Sequence, residues 1–467
     1  MGDVDEALRL HDQGLRVMVG ELDDPDAYVA AGVERAELVV TTLADTTNTN
    51  VSFTVQEISS DVAIVATANA EASIDILQLA GCDHVLRLGE MLGVALARRV
   101  LAPDGRSQVI GRFEELLVAE AAAPPALERL PLAETEVRKR TGLTVGGVWH
   151  RGTLHVARSS TVVEPGSILV LAGSREQLDT YDELFSTDEV VSGGVVIIGG
   201  GRVGRAVGRY LGEQGIDHCI VEQQADRVRD PERYVVGDAA DLRVLKEAGI
   251  DEAPAVVITT HDDDMNVYLT NYCRRLRPDV QIIARARLDR NVTTLHRAGA
   301  DSVLSYASTG ANALWNLLTA DNTLQLAEGL DVFRVPVPAE LAGRTLAAAH
   351  IRESTGCTVV ALAEGDDFHA NPPADAVLPP GADVVLIGDS ASEHRCLTEV
   401  PGGAALRARR SSAPGVGGEV AGGDLILRDP SAVGDRTFNR IQSQLIPGRG
   451  GRAVWRPSPS ALRPPPP

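Results

Sequence analysis

The chain has 467 residues, 44% hydrophobic but only 3% aromatic, with a formal net charge of −21, which sets an expectation of about three domains cored by Val, Leu, Ile and Ala. No apolar run approaches the roughly 18 residues of a membrane helix, no segment reads as a signal peptide, and the five cysteines form no CxxC pair, as suits reduced thiols. Residues 402–467 hold ten Arg against four Asp or Glu, so residues 1–401 carry −27, and an acidic body excludes nucleic acid as a partner.

From the start of the chain, a helix is expected over 4–13 and a strand over 15–20 (LRVMVG). Residues 64–86 (IVATANAEASIDILQLAGCDHVL) then find a counterpart in residues 282–304 (IIARARLDRNVTTLHRAGADSVL) at a constant offset of 218. The same offset lays Thr41, Thr42, Asp45 and Asn48 on Thr259, Thr260, Asp263 and Asn266. Pro165-Gly166 and Gly173 fall on Pro380-Gly381 and Gly388 at an offset of 215. A near-constant offset over that span indicates a duplicated domain pair, because solenoid repeats recur every 20–50 residues. Between the copies, LTVGGVWH, LHVARS and SILVLAG read as strands of a small α+β module.

In the second half VVII (195–198), HCIVE (218–222), YVVG (234–237), AVVITT (255–260) and QIIAR (281–285) alternate with helix-like segments, among them 203–214 and 264–276. Short Val/Ile runs separated by helices indicate a parallel sheet buried on both faces. The fold class expected is therefore α/β: a Rossmann-like doubly wound parallel sheet, duplicated, each copy followed by a small α+β subdomain. The domains read as 1–112 (an N-truncated first copy), 113–190 (small module), 191–325 (complete copy), 326–400 (small module) and 401–467. That last segment, rich in Gly, Pro, Ser and Arg, is expected to be a disordered tail.

Gly199-x-Gly201-x-x-Gly204 follows the strand 195–198 and opens a helix, the context in which this pattern binds a pyrophosphate. Gly199 allows the tight turn, Gly201 lets phosphate approach the backbone, and Gly204 lets the helix pack on the strand. The helix N-terminus offers unpaired N–H groups to an anion. Arg202 can add a cationic donor, with Val203 beside it in the loop. Glu222 ends the second strand, where a carboxylate accepts ribose hydroxyls and favours NAD(H) or an adenine nucleotide over NADP. Gly237, Asp238 and Ala239 end the third strand, and Thr259 and Thr260 the fourth. Asp238 either bonds near the adenosine or caps the following helix. Arg285 ends the fifth strand and either reaches a phosphate or forms a surface ion pair. The run Asp262-Asp263-Asp264 reads as a helix cap and charge pattern, with a cation site as the alternative.

A dehydrogenase needs an acid–base group beside the nicotinamide and a substrate domain. Each small module spans only about 70 residues, and His150, His155, His350 and His369 are scattered. No catalytic residue and no zinc spacing is identified, so the nucleotide reads as an effector and not a reactant. The alternatives are an NAD-dependent oxidoreductase and a scaffold with an empty loop.

GGGRVGRAVGRYL, IVE, VVGDAADLRVLKEAGI, VVITTHDDDMNVYL, IIARA and HRAGADSVL, in that order, resemble the regulator-of-potassium-conductance (RCK, TrkA-like) nucleotide-binding domain. Residues 331–397 resemble the RCK C-terminal subdomain, and residues 14–112 and 113–185 a second, degenerate set. The resemblance covers nearly all of 1–400 and none of the tail. It implies a cytoplasmic regulatory protein of a membrane K⁺ channel or transporter, working at the inner face of the membrane. It also implies homo-oligomers formed by RCK–RCK pairing, with 311–318 (ANALWNLL) as a candidate pairing helix. The first copy departs from the pattern: Thr67 stands where the second has Arg285, Gly20-Glu21 where it has Gly237-Asp238, and nothing corresponds to 193–222. Deleting strands 1 and 2 removes the middle of a 3-2-1-4-5-6 sheet, so the natural protein is expected to extend upstream with those strands, and with a pore if the partner is a channel.

Overall fold

The computed structural model describes residues 4–12, 14–101, 105–150, 153–186, 193–318, 323–326, 330–365, 367–399 and 453–455. The expected disordered tail lies outside the described residues except for 453–455. Contacts divide the chain into two units, Met1–Gly89 with Gln444–Pro467, and Glu90–Ser443.

In the first unit, strand β1 (Met18–Gly20) precedes β2 (Leu38–Thr41), β3 (Ala63–Thr67) and β4 (His84–Leu86). The last three form a parallel sheet in the order β2-β3-β4. β1, the counterpart of a third strand, joins none of them and pairs antiparallel with Ala453–Trp455. The helix Asp45–Ile58 is fixed by buried polar groups: Asn48 accepts from Thr41 Oγ1 at 2.6 Å and donates to the Thr67 carbonyl at 2.7 Å.

In the second unit, β5 (Gln108–Phe113), β6 (Leu116–Ala122), β7 (Thr144–His150), β8 (Thr153–Val156) and β9 (Ile168–Gly173) make one small module, in the order β5-β6-β9-β7-β8. The nucleotide-type lobe follows: β10 (Val195–Ile198), β11 (His218–Glu222), β12 (Tyr234–Val236), β13 (Ala255–Ile258), β14 (Gln281–Ala286) and β15 (Ser302–Ser305). Its order β12-β11-β10-β13-β14-β15, parallel throughout, is the expected 3-2-1-4-5-6 doubly wound sheet. All four residues of β10 are buried, as a central strand covered on both faces requires. One cover is the helix Leu88–Leu101, whose Leu92, Leu96, Ala97 and Val100 pack with Val195, Ile197, Val257 and Ile283. Gly93 is what allows that approach, since a Cβ there would lie 2.4 Å from Ala206 Cβ. Arg99 of the same helix forms a largely buried ion pair with Glu120 at 2.6 Å.

The second module repeats the first. β16 (Thr323–Gln325), β17 (Leu330–Pro336), β18 (Thr358–Glu364), β19 (Asp367–Ala370) and β20 (Asp383–Asp389) run in the order β16-β17-β20-β18-β19, strand for strand the topology of the earlier module. The two sheets share one core, in which Leu116, Val118, Trp149 and Val170 meet Leu330, Val332, Val360 and Ile387. Asn371 ties them with polar contacts, donating to the Ala172 carbonyl at 2.8 Å and accepting from Thr144 Oγ1 at 2.6 Å.

The hydrogen bonds preserve the duplication. Asn266 donates to the Arg285 carbonyl at 2.9 Å, as Asn48 does to that of Thr67, although the hydroxyl each asparagine accepts comes from different positions, Thr260 in this copy and Thr41, the counterpart of Thr259, in the first. Asp263 accepts the amides of Arg287 and Leu288, as Asp45 does those of Asn69 and Ala70. Asp301 accepts the Ile282 amide and Asp83 the Ile64 amide, each at 2.7 Å. These polar residues hold strand ends together, which explains why they recur at one offset in both copies.

Candidate functional site

The site is built at the carboxyl end of β10. The turn after Ile198 needs Gly199 at φ +107°, a conformation that costs glycine nothing. The helix Arg202–Glu213 begins directly after Gly201, whose side chain could offer no cap. A Cβ on Gly201 would meet nothing within 4 Å, so that position faces open space. One on Gly204 would lie 1.9 Å from the Gly199 carbonyl oxygen and 2.7 Å from Thr259 Oγ1. Gly201 thus opens the loop to a ligand, while Gly204 seats the helix against the turn.

The loop opens on a cavity of about 820 Å³. Of the twelve candidate residues, Gly199, Gly201, Arg202, Val203, Glu222, Gly237, Asp238, Ala239, Thr259, Thr260 and Arg285 line it, and Gly204 does not. Glu222 is buried and already braces the loop: one carboxylate oxygen accepts the Gly200 amide and the other the Gln224 amide, both at 2.9 Å. Each oxygen keeps a lone pair that could face a ribose. Thr259 Oγ1 bonds the Ile198 and Gly199 carbonyls, so it fixes the turn. Asp238 accepts the Ala240 amide, and the cap of the helix Leu242–Glu247 is Asp241. In the acidic run, Asp262 caps the helix Asp263–Leu276 through the Asp264 and Met265 amides, while Asp263 braces residues 287 and 288.

Arg285 is not in a surface ion pair. It is 7% exposed, its Nε lacks a hydrogen-bond partner, and its guanidinium lies 4.9 Å from the centroid of the Tyr306 ring. Burial disfavours its charge; Tyr306 and Asp263 act in favour of it, and Arg202 and Arg287 add repulsion. His261 is held below the ordinary imidazole range, first by burial and then by Arg285, Arg287 and Arg202. A buried cation with an unbonded Nε, held by a ring face beside an open backbone cradle, fits a phosphate-bearing group.

Sequence reasoning missed Arg205, Gln223, Gln224, Arg227, Arg229, His261, Met265 and Tyr306, all of which line the cavity. Most lie in loops after strand ends, where no motif flags them. Arg227 and Arg229 carried one signal, their place just beyond the strand-ending acid. Among the described residues no cluster of His, Cys, Asp and Glu could hold a metal ion, and no helix is long and apolar enough to cross a membrane.

The TrkA-N domain model matches residues 3–88 and 195–306, and the TrkA-C domain model residues 332–396. The crystal structure of the GsuK RCK domain superposes with a TM-score of 0.62 at 35% identity, covering 84% of this chain and 87% of that one. The chain belongs to the RCK/TrkA family. A structure of the GsuK channel bound to NAD is similar at 35% identity and a TM-score of 0.59, over 84% of this RCK chain and 72% of that one. Among curated relatives, Probable potassium channel protein 2 of Methanocaldococcus jannaschii is 26% identical over 240 residues, 47% of this chain and 70% of that protein. Potassium channel protein 1 of the same organism is 28% identical, with 62% of its length spanned. The Trk system potassium uptake protein TrkA homolog of Pyrococcus abyssi is 27% identical over 42% of this chain and 93% of that protein. The twofold TrkA-N match coincides with the duplication read from the 218-residue offset.

Proposed function

We propose that this RCK/TrkA chain is the nucleotide-sensing regulatory part of a potassium channel or potassium uptake system, and that its nucleotide is an effector that is not consumed. The observation that carries the reading is the loop at 199–204: a glycine cradle with open space at Gly201, followed by a helix N-terminus, in a cavity also lined by the buried Arg285, whose Nε has no hydrogen-bond partner. The similarity to potassium channel and uptake proteins, and to a channel bound to NAD, supports the physiological setting.

Gly199, Gly201, Arg202 and Val203 would hold the phosphates of NAD(H) or an adenine nucleotide, with Gly204 setting the loop. Glu222, Gly237, Asp238 and Ala239 would receive the adenosine end, and Thr259, Thr260 and Arg285 the other. Occupancy then biases the protein between two conformations, because a ligand shifts an equilibrium only through unequal affinity for its two states. The domains at 1–112, 113–190, 191–325 and 326–400 would form the sensing body. It would act in the cytoplasm at the inner face of the membrane, on a pore carried by a partner or by the same polypeptide. Homo-oligomers would pair through helices such as Tyr306–Leu318, the counterpart of Leu88–Leu101.

Limited proteolysis of the full chain tests the regulatory part of this reading. Saturating ADP or NADH is expected to change the cleavage pattern, with the nucleotide recovered intact. Oxidation or hydrolysis of the nucleotide at a catalytic rate would favour the oxidoreductase reading, and an unchanged pattern with bound ligand would remove the conformational step.

A further inference from the structure

We propose that Arg285, together with Arg202 and His261, is the specificity determinant of this cavity, ranking nucleotides by the charge they place over β13 and β14. An uncapped phosphate ranks first, a neutral dihydronicotinamide second and a cationic nicotinamide last. The inference rests on the reading that a nucleotide seats its phosphates on residues 199–204.

In a doubly wound sheet the ligand crosses the crevice where the strand order reverses, here between β10 and β13. Its adenosine half lies toward the acid at the end of β11, so the other half lies over the ends of β13 and β14. The two halves of the cavity differ in charge. The β11 side has Glu222 and Asp238 as well as Arg227 and Arg229. The β13–β14 side holds Arg202, His261 and Arg285, with Arg287 close enough to act on both His261 and Arg285.

The acids near that second cluster make their hydrogen bonds elsewhere, and Asp263 offsets only part of the positive charge on Arg285 and His261. Asp263 accepts two backbone amides and the Asn291 side chain. Asp262 accepts the two amides it caps. Arg285 is left with a π-face and an unbonded Nε. A buried cation in that state gains most from a ligand anion, because its desolvation has already been incurred and the local dielectric is low. A terminal phosphate supplies that anion. NAD⁺ brings a pyridinium ring instead, whose charge has the sign of the cluster's; NADH brings the same two phosphates and a neutral ring.

Calorimetric titration of the full chain with ADP, ADP-ribose, NADH and NAD⁺ tests the ranking. ADP against ADP-ribose isolates the uncapped phosphate, and NADH against NAD⁺ isolates the ring charge. Each pair is expected to differ about tenfold in the stated order. Arg285→Met should bring both ratios to within about twofold. Arg202→Gln, at an exposed position that cannot compromise the core, should narrow both. Ratios near one in the native chain, or ratios untouched by both substitutions, would overturn the proposal. If none of the four ligands binds the native chain, the failure lies instead with the nucleotide-sensing reading itself.

Discussion

Replacing Gly201 with leucine is expected to leave the fold intact and to abolish nucleotide binding. The residue has φ −68° and ψ −171°, ordinary extended backbone that leucine adopts freely. A Cβ there touches nothing within 4 Å, so no protein atom must move. The added side chain instead occupies the space above the amides of residues 201–204, where a pyrophosphate would approach. The stability of the unliganded protein should change by no more than about 0.5 kcal/mol, as for a surface substitution. Affinity for ADP and NADH should fall by about 100-fold or more, roughly 2.7 kcal/mol. Thermal melts with and without ligand read both quantities at once, because a ligand that binds only the folded state raises the midpoint by mass action. A variant that retained the ligand-induced shift would mean that the phosphates sit elsewhere.

Gly204→Ala should do the opposite and damage the lobe itself. The new methyl would lie 1.9 Å from the Gly199 carbonyl oxygen, which Thr259 Oγ1 also holds at 3.0 Å. Helix and turn cannot both keep their places. The cost is that of an overpacked core, about 2 kcal/mol or more, and the melting midpoint should drop by about 5 °C or more. Binding weakens as a consequence of the displaced turn. A melt indistinguishable from that of the native chain would show that the loop yields more readily than the packing indicates. The contrast between two glycines three residues apart separates the ligand's space from the protein's own.

The features legible in the sequence were those governed by local rules. Repeated polar residues at an offset of 218 marked the duplication because Asn48 and Asn266, Asp45 and Asp263, and Asp83 and Asp301 each close strand ends in the same way. Val/Ile runs broken by helices indicated a parallel sheet, since parallel strands need crossovers, and the strand order was the usual one of a doubly wound fold. The strand–glycine–helix–acid sequence led to the loop. What could not be read depends on contacts between distant segments. Nothing local says that Arg285 stacks on Tyr306 or that Arg205, Arg227 and Arg229 converge on one cavity. Nor did the pattern reveal that the two small modules share a core. Gly111 and Gly146 held a partial signal, for each lies where a Cβ would strike Leu324 or Ile387 of the other module. A glycine inside a strand often marks such an approach, but it does not name the partner.

The most direct test is calorimetric titration of the full chain with ADP and with NADH, followed by chromatography of the nucleotide recovered from the cell. Saturable binding of about one ligand per chain, lost in Gly201→Leu, with the nucleotide returned unchanged, is the predicted result, since only one of the two copies carries the glycine loop. Absence of binding, binding that survives Gly201→Leu, or conversion of the nucleotide during the titration would contradict it.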